Sequence, residues 1–191
     1  MIISFSGAIG SGKSTIAKKL AKKLDWPRYY IGGIRRQIAK ERGLTLAGYN
    51  KLGEKDPTTD SEVDEYQKRL GKTLDNFVIE GRTSWHFIPH SIKIYLDVTE
   101  KEGANRIFKD IKINDKRNEA KALNTLNDVY KSIKARKKSD IARYKKYYNI
   151  DAFDHKNYDF VLDTTNIDIE KVFKIVYNFV INRLKSEHNK T

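Results

Sequence analysis

The first fifteen residues restrict the chain more than any other stretch. An apolar, β-branched run, Met1-Ile2-Ile3-Ser4-Phe5-Ser6, leads directly into Gly7-Ala8-Ile9-Gly10-Ser11-Gly12-Lys13-Ser14, with Thr15 next and then Ile16, Leu20, Ala21 and Leu24 at helical spacing. The spelling is G-x-x-x-x-G-K-[ST], set between a strand and a helix, the context that gives this motif its meaning. Glycines let successive backbone N–H groups turn inward around a polyphosphate, Lys13 adds a mobile positive charge, and the helix N-terminus favours an anion. Ser14 opens the helix, where its hydroxyl can reach a Mg²⁺ bridging the outer phosphates. The stretch predicts a nucleoside triphosphate site over residues 7–15.

The totals bound what surrounds that loop. At 191 residues the chain suffices for one domain with its own core. It has no cysteine, which excludes disulfides, a thiol nucleophile and thiolate metal ligands. No run approaches the ~20 apolar residues of a membrane span and the first residues lack a signal-peptide pattern, so a soluble, cytoplasmic protein without a membrane partner is expected. The formal charge of +13 raises the question of nucleic acid. Its lysines are scattered, as at Lys18, Lys19, Lys22 and Lys23 or Lys131, Lys134, Lys137 and Lys138. Such scatter reads as solvated helix faces, and an anionic small substrate accounts for the charge more economically than a nucleic-acid partner. His86, His90, His155 and His188 show no metal-ligand spacing and are expected on the surface or in loops.

Strand-like and helical patterns alternate along the rest of the chain. Residues 27–31 read as a short strand ending at Gly32-Gly33, and residues 34–71 as a charged helical segment broken at Gly43 and around Asp56-Pro57. Residues 77–80 and 92–97 read as buried strands, each ending in an acid, and a helix begins near Lys101. A long helix is expected from about Ala120 to Tyr148, a last strand over 158–163 and a final amphipathic helix from Asn166 or Asp168. This order implies a parallel sheet covered on both faces, with ligands at the C-terminal strand edges. Trp26, Tyr29 and Tyr30 are expected in packing, and Tyr144, Tyr147 and Tyr148 to dock the long helix on the sheet.

Two further groups bear on chemistry. Glu80-Gly81-Arg82 ends a strand that should lie beside the loop strand, which brings Arg82 over the phosphate-binding edge. Glu80 and Asp97 are both candidates to hold Mg²⁺ through water, and spacing prefers neither. Arg136, Asp140 and Arg143 fall within an arc of roughly 60° on one helix face. That spacing admits either a surface salt-bridge ladder or a clamp with two forks for phosphate or base and a carboxylate for a sugar hydroxyl.

Taken together, these blocks resemble the cytidylate kinases, in particular the short archaeal type, over nearly the whole chain. The residues that carry the resemblance are the loop from Gly7 to Thr15, the segment from Gly32 to Arg36, Asp64 and Gln67, Glu80-Gly81-Arg82 with Trp85, and Ala104-Asn105-Arg106-Ile107. The most discriminating block is Arg136, Asp140, Arg143 and Tyr144, then Tyr148, Ile150, Asp151, Tyr158, Asp159 and Asp163-Thr164. The resemblance implies an α/β, three-layer P-loop NTPase fold with a five-stranded parallel sheet. It implies one kinase domain over 1–191, with a core (1–31, 72–110, 119–191), a helical acceptor-binding insertion (32–71) and a short lid (about 109–118).

It further implies transfer of the γ-phosphoryl group of ATP, with Mg²⁺, to CMP or dCMP by a monomeric enzyme. Gly7, Ala8, Ile9, Gly10, Ser11, Gly12, Lys13, Ser14 and Thr15 would bind ATP, and Ser14 and Glu80 the metal. Arg36 would take the acceptor phosphate, Arg136 and Asp140 the ribose, and Arg82 and Arg143 the pyrimidine. Lys13, Arg106 and a lid lysine such as Lys109 would close on the migrating group. Two positions depart from the family pattern. Tyr30-Ile31 stands where a small hydroxyl residue is usual, and Asp110, flanked by Lys109 and Lys112, where a second lid arginine is usual. Other acceptors, such as UMP, AMP or a shikimate-like alcohol, and a non-catalytic nucleotide- or RNA-binding module remain open alternatives.

Overall fold

The computed structural model describes residues 1–113 and 123–188. Half of the lid expected at about 109–118 therefore lies outside the described residues, as does the start expected for the long helix at Ala120. Among the described residues five parallel strands form one sheet in the order β2-β3-β1-β4-β5. They are β1 (Ile2–Gly7), β2 (Arg28–Tyr30), β3 (Phe77–Glu80), β4 (Ile92–Asp97) and β5 (Phe160–Asp163). The helices are α1 (Lys13–Leu24), α2 (Ile31–Glu41), α3 (Leu46–Gly53), α4 (Thr58–Thr73), α5 (Ser84–Phe87), α6 (Glu100–Ile113), α7 (Leu126–Tyr148) and α8 (Ile169–His188).

The central position of β1 follows from its composition. All its residues are buried, as expected of a strand flanked by neighbours on both edges and covered on both faces. Phe5 registers with Glu80 of β3 and with Ile94 of β4, so the loop after β1 emerges between the ends of two neighbouring strands. Ile3 and Phe5 face α1 and α8 in a cluster with Ile16, Leu20, Val172 and Val176. Ile2 faces the other way, into Ile31, Val63, Leu70, Phe77 and Ile79, the contact of the sheet with α2 and α4. A third cluster, Ile9, Ala104, Ile107, Val129 and Ile133, packs α6 and α7 beneath the loop.

The differences from the sequence reading have local causes. The helix expected after Gly32-Gly33 begins before them, at Ile31, because both glycines lie against the Tyr30 ring, where a Cβ on Gly33 would come within 2.6 Å. The long helix starts at Leu126, since Thr125 accepts from the Asp128 N–H while the Asp128 side chain accepts from the Thr125 N–H. That T-x-x-D box is legible in the sequence as a start signal. Its far end stops at Asn149 in the left-handed region. Tyr147 and Tyr148 do dock α7, but onto α3 and α4 rather than the sheet, while Tyr144 borders a cavity beside the loop 7–14. Tyr147 donates to the Gly53 carbonyl at 2.7 Å, and Tyr148 donates to Asp64 of α4.

Candidate functional site

The loop 7–14 is held by backbone before any ligand is considered. Ala8 N donates to Leu96 O at 3.0 Å, and Thr15 N to Gly12 O at 3.0 Å. Gly7 and Gly10 are required by the fold itself. A Cβ on Gly7 would lie 2.2 Å from the Leu96 carbonyl oxygen, and one on Gly10, at φ +85°, 2.4 Å from that of Gly103. The glycines thus admit the close approach of β4 and α6, a packing reason that the motif alone does not reveal.

Two of the cavities beside this loop meet at Gly10, which borders both. The first, about 100 Å³, is bordered by Lys13, Ser14, Arg35, Arg36, Glu80, Arg82, Arg136 and Asp140, and by Asp60 and Asp64 of α4. The second, about 420 Å³, lies on the opposite side against Ser11, Gly12, Thr15, Arg106, Asp110, Thr164 and Ile169.

Lys13 shows the electrostatic state of the first cavity. Its ammonium reaches the Ala8 carbonyl at 3.5 Å. Burial, together with the charges of Arg82 and Arg136, lowers its pKa from 10.5 to about 7 against the opposing pull of Glu80. Without an anion the corner is over-supplied with positive potential. Glu80 is 1% exposed and paired with Arg28. Burial raises its carboxyl above the ordinary range, against the opposing pull of the Ser14 hydroxyl and the charges of Arg28 and Lys13. Asp97, the other carboxylate that the sequence offers beside the loop, is turned away, with Oδ2 3.2 Å from His155 Nε2.

The helix-face trio does not form a surface ladder. Asp140 is 2% and Arg143 1% exposed. Arg143 donates to both oxygens of Asp60, at 2.5 and 2.7 Å, and also to Asp140. Asp140 in turn faces Arg82 Nε at 3.1 Å. Arg35 completes the chain by donating to Asp60 at 2.7 Å. Burial alone would raise the Asp140 carboxyl, but the guanidinium charges of Arg82, Arg143, Arg136 and Arg35 outweigh it and hold the group below the usual carboxylate range. Five side chains from α2, α4, α7 and the loop after β3 are therefore tied in one buried ionic network. Such a network specifies geometry more surely than it adds stability.

The other expected site residues fall in different places. Arg36 borders the first cavity and donates to the Tyr30 hydroxyl and to the Gly32 carbonyl, the latter at 3.1 Å. Tyr30 is therefore a wall residue of the site and not only strand packing. Arg106 borders the second cavity, bound to the Thr164 carbonyl at 2.6 Å and to Glu102 at 2.9 Å. Lys109 is exposed on α6 and borders neither cavity. Arg143 braces the first cavity from behind without bordering it. Sequence reasoning missed Arg28, Arg35 and Asp60. Each acquires its role only through a partner far along the chain, 83 residues away for Asp60 and Arg143, and no local pattern marks such a pair.

A five-stranded parallel sheet in this order, with a phosphate-type loop after the central strand, is the architecture of P-loop kinases. Consistent with that class, the structure is similar to shikimate kinase from Bacteroides thetaiotaomicron, with a TM-score of 0.61, 13% identity and coverage of 97% of this chain and 98% of that one. At that identity the likeness concerns fold alone. The sequence places the chain more narrowly: it belongs to the cytidylate kinase-like family, whose profile matches residues 2–166. It is 36% identical over 185 residues to the cytidylate kinase of Methanocella arvoryzae, covering 97% of this chain and 99% of that one. With the cytidylate kinase of Pyrococcus furiosus it shares 35% over 177 residues, 92% of this chain and 86% of the relative. No helix among the described residues is long and apolar enough to cross a membrane.

Proposed function

We propose that the chain is an ATP-dependent kinase that moves the γ-phosphoryl group onto the 5′-phosphate of CMP or dCMP. The observation that carries this reading is a single cavity in which loop residues Lys13 and Ser14 meet Arg36, Arg82, Arg136 and Asp140. Donor and acceptor groups would converge there, and the full-length likeness to named cytidylate kinases gives the acceptor its identity.

In this reading the amides of residues 7–15 and Lys13 hold the triphosphate, with the rest of the donor nucleotide in the second cavity beside Arg106 and Thr164. Arg36 takes the acceptor phosphate, and the Tyr30 hydroxyl beside it supplies the hydroxyl that a small residue supplies elsewhere in the family. Arg136 and Asp140 hold the ribose. Arg82 faces the acceptor, while Arg143 acts through Asp140 and Asp60. Mg²⁺ fits at the Ser14 hydroxyl and Glu80, whose Oε2 is buried with no hydrogen-bond partner among the described residues. When bound, the metal neutralises charge on the bridging phosphates. The chain's own residues align the two phosphates in line, keep water out and neutralise the equatorial oxygens; the acceptor is already an anion, so no strong base is needed.

The first cavity, at about 100 Å³, is smaller than the roughly 300 Å³ at which ligand pockets begin. In this reading the cavity widens to admit the acceptor and closes around it, which would exclude water. A coupled ADP-release assay over CMP, dCMP, UMP, AMP and shikimate tests the reading. Transfer to CMP and dCMP well above the others is expected; turnover confined to another acceptor would overturn it.

A further inference from the structure

Arg35 is held as a donor with one nitrogen in reserve. Its Nε donates to Asn50 Oδ1 at 2.9 Å, and Nη1 donates to the Thr59 carbonyl at 3.0 Å and to Asp60 at 2.7 Å. The Tyr49 ring lies 4.9 Å from the guanidinium carbon, which fixes the plane of the group. Nη2 is buried and has no hydrogen-bond partner among the described residues. A buried donor left unsatisfied is costly, so its retention calls for a partner that arrives from outside. Arg35 borders the first cavity on the insertion side, together with Asn50, Asp64 and Gln67 and away from the loop that holds the phosphates.

We infer that Arg35 is a specificity-determining residue for the acceptor base, its Nη2 donating to the adjacent O2 and N3 acceptors of cytosine, with Asp60, Thr59 and Asn50 as the groups that position it. The inference rests on the cytidylate reading given above and adds the means of selecting cytosine. Cytosine presents two neighbouring acceptors, O2 and N3, beside an amino donor at C4. Uracil presents N3–H and O4 at the same places, so a fixed guanidinium N–H would meet a donor. Asp64, on the same wall, offers a carboxylate suited to the cytosine amino group and unsuited to the uracil O4. A site built to pair buried polar groups rejects a ligand that leaves them unpaired.

The test compares kcat/KM for CMP and UMP in the full-length protein, its Arg35→Gln and Arg35→Lys variants, and for 3-deaza-CMP, which lacks the N3 acceptor, with the unaltered protein. A good bidentate base contact gives roughly 10- to 100-fold discrimination. Arg35→Gln should lower CMP turnover by that factor and UMP by less than about threefold, with the KM for ATP unchanged, and Arg35→Lys should restore part of the preference. The unaltered protein should lose a comparable factor on 3-deaza-CMP. An unchanged CMP-to-UMP ratio in Arg35→Gln, or 3-deaza-CMP used as well as CMP, would overturn the role of Arg35 while leaving the cytidylate reading intact. If the variants do not fold, the 3-deaza-CMP result on the unaltered protein decides. Absence of CMP turnover in the unaltered protein would instead overturn the underlying reading.

Discussion

The two halves of the candidate site are built by opposite means. The triphosphate side is nine consecutive residues whose shape comes from backbone, with glycines fitted against Leu96 and Gly103. The proposed acceptor side is assembled from side chains on α2, α4, α7 and the loop after β3, joined through Asp60 and Asp140. A backbone site is set by local sequence and survives the loss of one side chain in shape, though not in chemistry. A side-chain site depends on buried charges that hold one another, and loss of one leaves another unpaired. Damage on the two sides should therefore separate: activity without stability at the loop, both together at the network.

The largest effect is expected at the centre of the network. Asp60→Ala leaves the buried guanidinia of Arg35 and Arg143 without their shared acceptor and should cost roughly 3–5 kcal/mol, or about 10 °C in Tm at ~2–4 °C per kcal/mol. Thermal unfolding measures it, and a loss under 1 kcal/mol would mean that the network is not structural. On the loop side, Lys13→Met should reduce kcat by roughly 10²–10³-fold without lowering Tm.

The pH dependence of that variant gives the comparison a sign. Lys13 titrates near 7 in the folded protein against 10.5 unfolded, so between those values the unfolded chain binds more protons. Its contribution to stability therefore rises with pH across that window, and at pH 7 and below the charged lysine works against the ligand-free fold. Lys13→Met should then raise Tm at pH 6–7 and flatten its rise toward pH 10. A lower Tm would contradict the assignment of excess positive potential at the loop.

Two smaller effects sharpen the division. Asp140→Ala should raise the KM for CMP roughly 10- to 100-fold, the worth of a charged hydrogen bond of about 1.5–3 kcal/mol, with a much smaller change for ATP. Equal changes in both would erase the distinction between the halves. The smallest signal is a proton count. At pH 8 Lys13 is mostly neutral, and a bound polyphosphate should restore its charge, so nucleotide binding should take up a fraction of one proton. Calorimetry in buffers of different ionisation enthalpy reads that uptake directly, and zero uptake would place the excess potential elsewhere.

The same division governs how much could be read without the fold. The P-loop, the bounds of β3 and β4 and the breaks in the helical insertion near Gly43 and Pro57 each rest on a short window, and the structure places them there. The trio on α7 was visible as one face of a helix, but whether that face met solvent or protein was not. Burial turned a possible surface ladder into the spine of the acceptor side. Arg35 and Asp60 were illegible, because nothing within a few residues of either distinguishes it from an ordinary charge on an exposed helix.

By itself, then, the sequence determined the strand–loop–helix over residues 2–24 and the alternation that makes a parallel sheet, since both follow from local backbone preference and hydrophobic period. Tertiary structure alone decided which charges meet. Glu80, and not Asp97, faces Ser14 because β3 ends beside the loop while the Asp97 carboxylate turns toward His155. Arg143 braces because α4 brings Asp60 within 2.5 Å of it. Ionic pairing acts over a few ångströms between residues distant along the chain, and only the packed fold sets those distances.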